Sequence, residues 1–220
     1  MTTADSPRAR AKRQQITDAA RALFLAQGYA RTSTDAITRA AGVSKQTLYI
    51  YFPGKVELLS AVIAQELGGH APELGTAPDP QTQDPRTLAE LRTWLLRFAR
   101  RVTSSLMQPD SIALLRLLIG ETVHLPELRG VLRRTLPARL IVTVQALLTT
   151  CAARGLIVVS SPDLSARMFV GPIMSFIALD GLFGDTPAVP PSDAALSTLV
   201  DLFLLTVNGE RTFHDPDSKT

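Results

Sequence analysis

The sequence predicts an all-α chain: a small N-terminal three-helix domain of helix-turn-helix type, followed by a larger helical bundle. Three observations predict it. Apolar residues recur at helical spacing from Ile16 to the final helix, no strand pattern of any length competes, and Gly and Pro fall between the periodic stretches. Leu156–Val159 is the one β-like run, and Gly155 and Ser160 bound it after four residues. The 220 residues are 45% hydrophobic and 20% charged, which suits a folded chain of one small and one larger domain.

The first helix is expected over about residues 8–27. Ile16, Ala19, Ala20, Leu23 and Phe24 form its apolar stripe, and Gly28 ends it. Thr32 and Ser33 are cap residues for a second, short helix, and Asp35 stands in its first turn, where a negative charge suits the helix dipole. Ile37, Ala40 and Ala41 give that helix an apolar face, and Gly42 breaks it. Ser44 caps a third helix in which Leu48 and Phe52 point inward and which Pro53-Gly54 stops. Two short helices on a tight Gly-containing turn, braced by a longer one, make a helix-turn-helix. Lys45, Gln46 and Thr47 in the first turn of the third helix suit base edges and phosphates. A polar corner of an ordinary helical bundle has the same pattern, and patterning alone leaves both readings open.

Charge is unevenly spread. Residues 1–55 carry nine Lys and Arg against three Asp, a net +6, whereas the whole chain is only +3. A basic head facing a polyanion explains the asymmetry. The tail 1–12, with Arg8, Arg10 and Lys12 and continued by Arg13, reads as a solvated, disordered segment; reach into a neighbouring minor groove is the alternative.

The segment ITDAARALFLAQGYARTSTDAITRAAGVSKQTLYIYFPGKVELLSAVI, from Ile16 to Ile63, resembles the DNA-binding region of the TetR family of transcriptional repressors. The matching residues are Ala19-Ala20, Leu23-Phe24, Gly28-Tyr29, Thr32-Ser33, Ile37, Ala41-Gly42-Val43-Ser44, Leu48-Tyr49, Phe52, Lys55 and Leu58-Leu59. The resemblance implies that Thr32 and Ser33 meet phosphate or bases, that Ser44, Lys45, Gln46 and Thr47 face the groove, and that Tyr49 and Lys55 meet the backbone. Thr32 and Ser44 also read as caps alone, and Lys55 as a solvated charge. Thr34, Ala36, Thr38 and Tyr51 depart from the family pattern, and Tyr51 offers an additional DNA contact.

The expected domains are 1–55 for the DNA-binding head, 56–69 for a connecting helix, 70–85 for a Pro-rich loop, 86–210 for a helical effector-binding and dimerisation domain, and 211–220 for a tail. Within the large domain helices are expected from Leu88, from Pro109, after Pro126 and Pro137 and up to Gly155, from Asp163 to about Leu182 with a kink at Gly171-Pro172, and over about 192–208. Residues 115–134 and 153–176 resemble a C-terminal domain found in part of the same family. Apolar residues on more than one face of the last two helices, namely Ile173, Phe176, Ile177, Leu199, Leu202 and Phe203, suit a homodimer interface. Trp94, Phe98, Met107, Leu118, Phe169 and Met174 suit the lining of a pocket for an apolar small-molecule effector, although each suits plain core packing too.

Other classes of function find little support. The histidines, His70, His124 and His214, are far apart, and neither a phosphate loop nor a nucleophile elbow occurs, so neither an enzyme nor a bound cofactor or metal is expected. The single cysteine, Cys151, reads as a buried structural thiol rather than a redox sensor. Met168–Leu179, the most apolar stretch, is too short to span a bilayer, and a cytoplasmic location follows. The resemblance thus implies a sequence-specific regulator, a dimeric repressor on double-stranded DNA that leaves a palindromic operator when an effector binds.

Overall fold

The computed structural model describes residues 6–69, 85–130, 137–184 and 187–209, and all the elements among them are helices. Most of the expected Pro-rich loop 70–85, the tail 211–220, His70 and His214 lie outside the described residues. The chain divides into two compact units. The first takes residues up to Gly69 together with 110–135, and the second takes 70–109 and everything from 136 onward. By compactness, residues 110–130 thus group with the head, within the range 86–210 that the sequence reads as one large domain.

In the first unit α1 (Pro7–Arg31) begins on Ser6, whose hydroxyl accepts from the Ala9 amide, with Pro7 at its first position. Arg8, Arg10 and Lys12 thus belong to a capped helix, in line with the helix expected over about 8–27, and the reading of residues 6–12 as a disordered tail is corrected. The helical path departs from α geometry at Gly28 (φ 81°), where the sequence places its end, and one further turn carries it to Arg31. Ile16, Ala20 and Phe24 are buried along the inner stripe. α2 (Thr34–Ala40) and α3 (Lys45–Tyr51) follow, capped by Ser33 and Ser44, and α4 (Lys55–Gly69) packs against α1 through Leu58, Leu59, Val62 and Ile63. α6 (Pro109–Glu121) contributes Leu114, Leu115 and Leu118 to the buried set from residue 110 onward. Arg21 of α1 joins the helices by donating to Glu66 of α4 (2.7 Å) and Asp110 of α6 (2.7 Å), and Ser111 donates to Glu66 at 3.3 Å.

The second unit holds α5 (Leu88–Leu106), α7 (Pro137–Ala153), α8 (Pro162–Phe176) and α9 (Asp193–Gly209). α8 packs most extensively on α7 and also meets α5 and α9, so it is the unit's central helix. Thr87 caps the start of α5: the Glu90 amide donates to the Thr87 hydroxyl, while the Glu90 carboxylate accepts from the amide of Arg86, one residue before the cap. Gly155 (φ 69°) ends the α7 region as expected. α8 runs through Gly171-Pro172, both exposed, and the irregularity comes later, as a π-helical turn over Ile177–Leu182. Pro172 lacks an amide on the solvent side, where its loss leaves no buried group unpaired. The Pro162–Leu182 helix is the one among the described residues long and apolar enough to cross a membrane, with a mean hydropathy of 1.2. Its buried face is the core of this unit: Phe169, Val170 and Ile173 are at most 2% exposed.

Candidate nucleic-acid interface

The site lies on α2, α3 and the turn between them. Gly42 carries a φ of 59°, a conformation that side chains bearing a Cβ rarely adopt. That left-handed residue lets the chain reverse within four residues, while Ala41 N–H donates to Ile37 O (2.8 Å) and Val43 N–H to Thr38 O (3.0 Å). The turn is fastened from α1, where the Gln15 side-chain amide donates to the Ala41 carbonyl at 2.6 Å. Ser44 then starts α3: its hydroxyl accepts from the Thr47 amide at 3.0 Å and pairs with the Thr47 hydroxyl at 2.8 Å.

α3 buries only Leu48 within its seven residues, and Phe52, at its C-terminal cap, is also buried. Lys45, Gln46, Tyr49 and Ile50 are exposed, with Ile50 at 72%, while Thr47 and Tyr51 are half-buried. A short helix held by its cap and one core leucine leaves most of its side chains free to enter a groove. Such a helix presents two amide or ammonium donors, a phenol and an apolar surface at one spot, the set of groups that distinguishes base edges and thymine methyls.

Charge is arranged locally as well. Lys45 Nζ lies 2.7 Å from Asp35 Oδ1, both side chains more than half exposed. The carboxylate raises the Lys45 pKa by hydrogen bond and by charge, which keeps the ammonium protonated at neutral pH. Lys55 is held differently. Its ammonium stands 3.9 Å from the centre of the Tyr29 ring and 3.5 Å from the Ala30 carbonyl, and burial pushes its pKa below the usual lysine range. Burial likewise raises the Tyr29 phenol, helped by the charges of Glu121, Glu127 and Glu57. Arg13 lies over the Phe52 ring, 4.9 Å from its centre.

Of the sequence-predicted contacts, Ser33, Ser44, Lys45, Gln46, Thr47, Tyr49 and Tyr51 share this region. Thr32 is corrected. It is 1% exposed, and its hydroxyl donates back toward the Gly28 carbonyl (2.7 Å), so its side chain closes the end of α1 rather than facing solvent. Asp35 and Ile50 were not singled out as site residues. Asp35 looks like a dipole-matching first-turn acid, and only the packing of α2 on α3 brings Lys45 to it. The spacing Gln46–Ile50 of one helical turn is the signal that would have found Ile50.

The predicted effector residues are divided. Trp94 stacks on Phe98 (5.2 Å between centres, 12° between planes), Phe98 meets Phe169 (6.2 Å), and Phe169 meets Phe203 (5.0 Å), all in the second unit. Met107 is buried in that unit and Met174 half-buried, but Leu118 is buried in the first unit and is not part of this core. Two grooves on the second unit, about 610 and 490 Å³, are lined by other residues, among them Arg154 and Gly155 in one and Arg97 and Arg101 in the other. Of the predicted dimer residues, Ile173, Ile177 and Phe203 are buried within the subunit itself, Phe176 and Leu199 are half-buried, and Leu202 is 59% exposed. Cys151 is fully buried and His124 exposed. No group of three or more potential metal-ligating side chains occurs among the described residues.

Comparison with known proteins agrees with this geometry. Residues 16–62 match the family model for bacterial regulatory proteins of the tetR family, and residues 93–206 match that for the C-terminal domain of AefR-like transcriptional repressors. The HTH-type transcriptional regulator SrpR of Pseudomonas putida is 45% identical over 67 residues, a stretch that spans 30% of that protein and 30% of this chain. Among solved structures, the flavonoid-responsive regulator FrrA is 27% identical with a TM-score of 0.69, covering 90% of this chain and 97% of its own. A TetR-family regulator from Mesorhizobium loti MAFF303099 is 25% identical with a TM-score of 0.68, covering 92% and 97%. With a capped helix-turn-helix in the first unit, a helical core in the second, and family models matched across both, the chain belongs to the TetR family and is a DNA-binding transcriptional regulator, not an enzyme.

Proposed function

We propose that this regulator is a repressor that binds a palindromic operator as a homodimer in the cytoplasm and leaves it when a small apolar molecule binds the second unit. The observation that carries the DNA reading is α3, which spends one residue, Leu48, on the core and leaves Lys45, Gln46 and Tyr49 exposed, with Lys45 paired to the Asp35 carboxylate. Ser33, Ser44, Thr47, Tyr51 and Lys55 complete the contact set, with Lys55 and Tyr49 on phosphates.

A homodimer is supported by apolar surface on α8 and α9 that the subunit leaves uncovered: Leu164, Met168, Leu202 and Leu205 are each at least half exposed. Together with the half-buried Phe176 and Leu199 they form the proposed interface, while Ile173, Ile177 and Phe203 support it from beneath. Two-fold symmetry then calls for two half-sites about 34–36 Å apart. The repressor assignment is supported by the description of the C-terminal family model.

An aromatic effector is supported by the ladder Trp94–Phe98–Phe169–Phe203, and by FrrA, whose name records a response to flavonoids. Met107 and Met174 are adaptable neighbours for such a ligand. The effector acts by favouring one conformation of the body over the DNA-competent one, and α4 is the natural lever.

Selection of bound duplexes from a random DNA pool at near-physiological salt tests the reading. An enriched inverted repeat is the expected result. Salt-sensitive binding with no enriched sequence would remove it.

A further inference from the structure

We propose that Asp35 and Lys45 together read one G·C base pair in each half-site, so that a carboxylate on the DNA-facing surface sets sequence preference. The inference rests on α3 being the recognition helix and names what that helix reads.

A carboxylate is the wrong charge for DNA. Asp35 is nevertheless 59% exposed at its side chain, on the surface that α2 and α3 present, with its Oδ1 2.7 Å from Lys45 Nζ. Capping does not account for it. The Ala36 amide is already taken by the Ser33 hydroxyl at 3.1 Å, and the Thr38 hydroxyl bonds the Asp35 backbone carbonyl rather than its side chain. The pairing itself leaves capacity on both partners. An ammonium has three donors, of which the carboxylate takes one, and a carboxylate has about four lone-pair sites.

The pair therefore shows a donor beside an acceptor. In the major groove a G·C pair shows the complement: guanine N7 and O6 accept, and cytosine N4 donates. Lys45 donates to guanine while Asp35 accepts from the neighbouring cytosine amino group. Adenine N6 also donates, but adenine gives Lys45 one acceptor, N7, where guanine gives two, N7 and O6, so the pair as a whole fits G·C best. Opposite a thymine O4 or methyl group the carboxylate is an uncompensated negative charge near phosphates. Asp35 thus lowers affinity for all DNA and lowers it least where a base amino group, cytosine N4 in the G·C pair, stands opposite. It also holds Lys45 toward the base edge, away from the phosphates that would otherwise attract a free ammonium.

Duplex selection with the full-length wild type, Asp35→Ala and Lys45→Ala tests this. The wild type should enrich a G·C pair at one position per half-site. Asp35→Ala should lose about tenfold in preference at that position, while its affinity for random-sequence duplex rises. Lys45→Ala should lose preference at the same base pair and weaken random-sequence binding. Asp35→Asn, which keeps shape and one acceptor oxygen, should lose less at that pair. A profile unchanged in Asp35→Ala, or changed at a base pair other than the one Lys45→Ala affects, overturns the proposal while leaving the recognition helix in place. A wild type that enriches no sequence overturns the recognition-helix reading itself.

Discussion

The Lys55 ammonium faces the Tyr29 ring at 3.9 Å from its centre, so a lysine at the start of α4 is held by the end of α1. Burial works against the charge and lowers the Lys55 pKa, the Glu121 charge opposes that shift, and the ring and the Ala30 carbonyl hold the ammonium in place. Because these contributions offset each other, Lys55→Met should change stability by less than about 1 kcal/mol. Binding should suffer more. Loss of one phosphate contact per subunit should reduce the slope of log affinity against log salt by about one per half-site. Thermal melts and a salt series on one duplex measure the two effects. Equal slopes for variant and wild type would remove Lys55 from the interface.

Gly42 gives a test of the turn. Its φ of 59° penalises any residue with a Cβ, and an added Cβ meets nothing nearer than Gln15 Nε2 at 4.0 Å. The penalty is therefore in the backbone, and Gly42→Ala should cost about 1–2 kcal/mol. Gly42→Asn should cost less, because Asn tolerates this conformation better. Urea unfolding of the three proteins ranks them, and equal cost for Ala and Asn would point to crowding instead.

Much of this was legible beforehand. The caps Ser33 and Ser44, the break at Gly42 and the inward Leu48 are local signals, and each appears where the sequence places it. Signals that depend on which elements meet were not legible. The Asp35–Lys45 pair exists only because α2 lies across the start of α3, and Thr32 reads as a cap or contact until the end of α1 is seen to enclose it. Composition cannot tell a lone basic tail from the first turns of a helix, but Ser6-Pro7 is a helix start and was available as a signal. The helices of the second unit are apolar on several faces, so periodicity does not say which face the subunit uses itself. That is why Ile173, Ile177 and Phe203 prove to be buried while Leu202 and Leu205 are not.

Arg21 links three helices of the first unit through Glu66 and Asp110, and Glu66 is the more enclosed acid, with 12% of its side chain exposed against 56% for Asp110. Removing the guanidinium takes the charged partner from a carboxylate largely out of water, with the Ser111 hydroxyl still donating to it. Arg21→Met should therefore cost about 1–3 kcal/mol, and adding Glu66→Gln should recover part of that loss. A double-mutant cycle should give a coupling of at least about 0.5 kcal/mol. Additive single effects would mean that water already serves Glu66.

The proposed dimer face makes a separate demand. Leu202 is 59% exposed in the subunit, so Leu202→Glu should leave the fold of the chain intact. In a dimer the same change places two charges in an apolar contact. Sedimentation should show monomers at concentrations where the wild type is dimeric, and operator affinity should fall as the two half-sites uncouple. A variant that stays dimeric would move the interface off α9.

Arg92 of α5 grips α9 by donating to both Asp201 oxygens (2.5 and 2.8 Å) and to the Ser197 hydroxyl (2.6 Å). The Arg92 hydrogen bond holds the Asp201 carboxyl below its usual range against a smaller opposing effect of burial. The sign of the pH effect follows. Between the depressed folded value and the unfolded value of about 3.9, the unfolded chain binds more protons, so stability falls as pH falls. The contribution of Asp201 is complete above the unfolded value and is lost as pH drops through the folded one. Asp201→Asn should lower the melting temperature near pH 7, and the difference from wild type should shrink toward pH 3. Because the pair is exposed, added salt should shrink the difference as well. A gap that stayed constant from pH 7 to pH 3 would show that Arg92 stabilises α9 through its packing and its bond to Ser197, with the Asp201 charge contributing nothing.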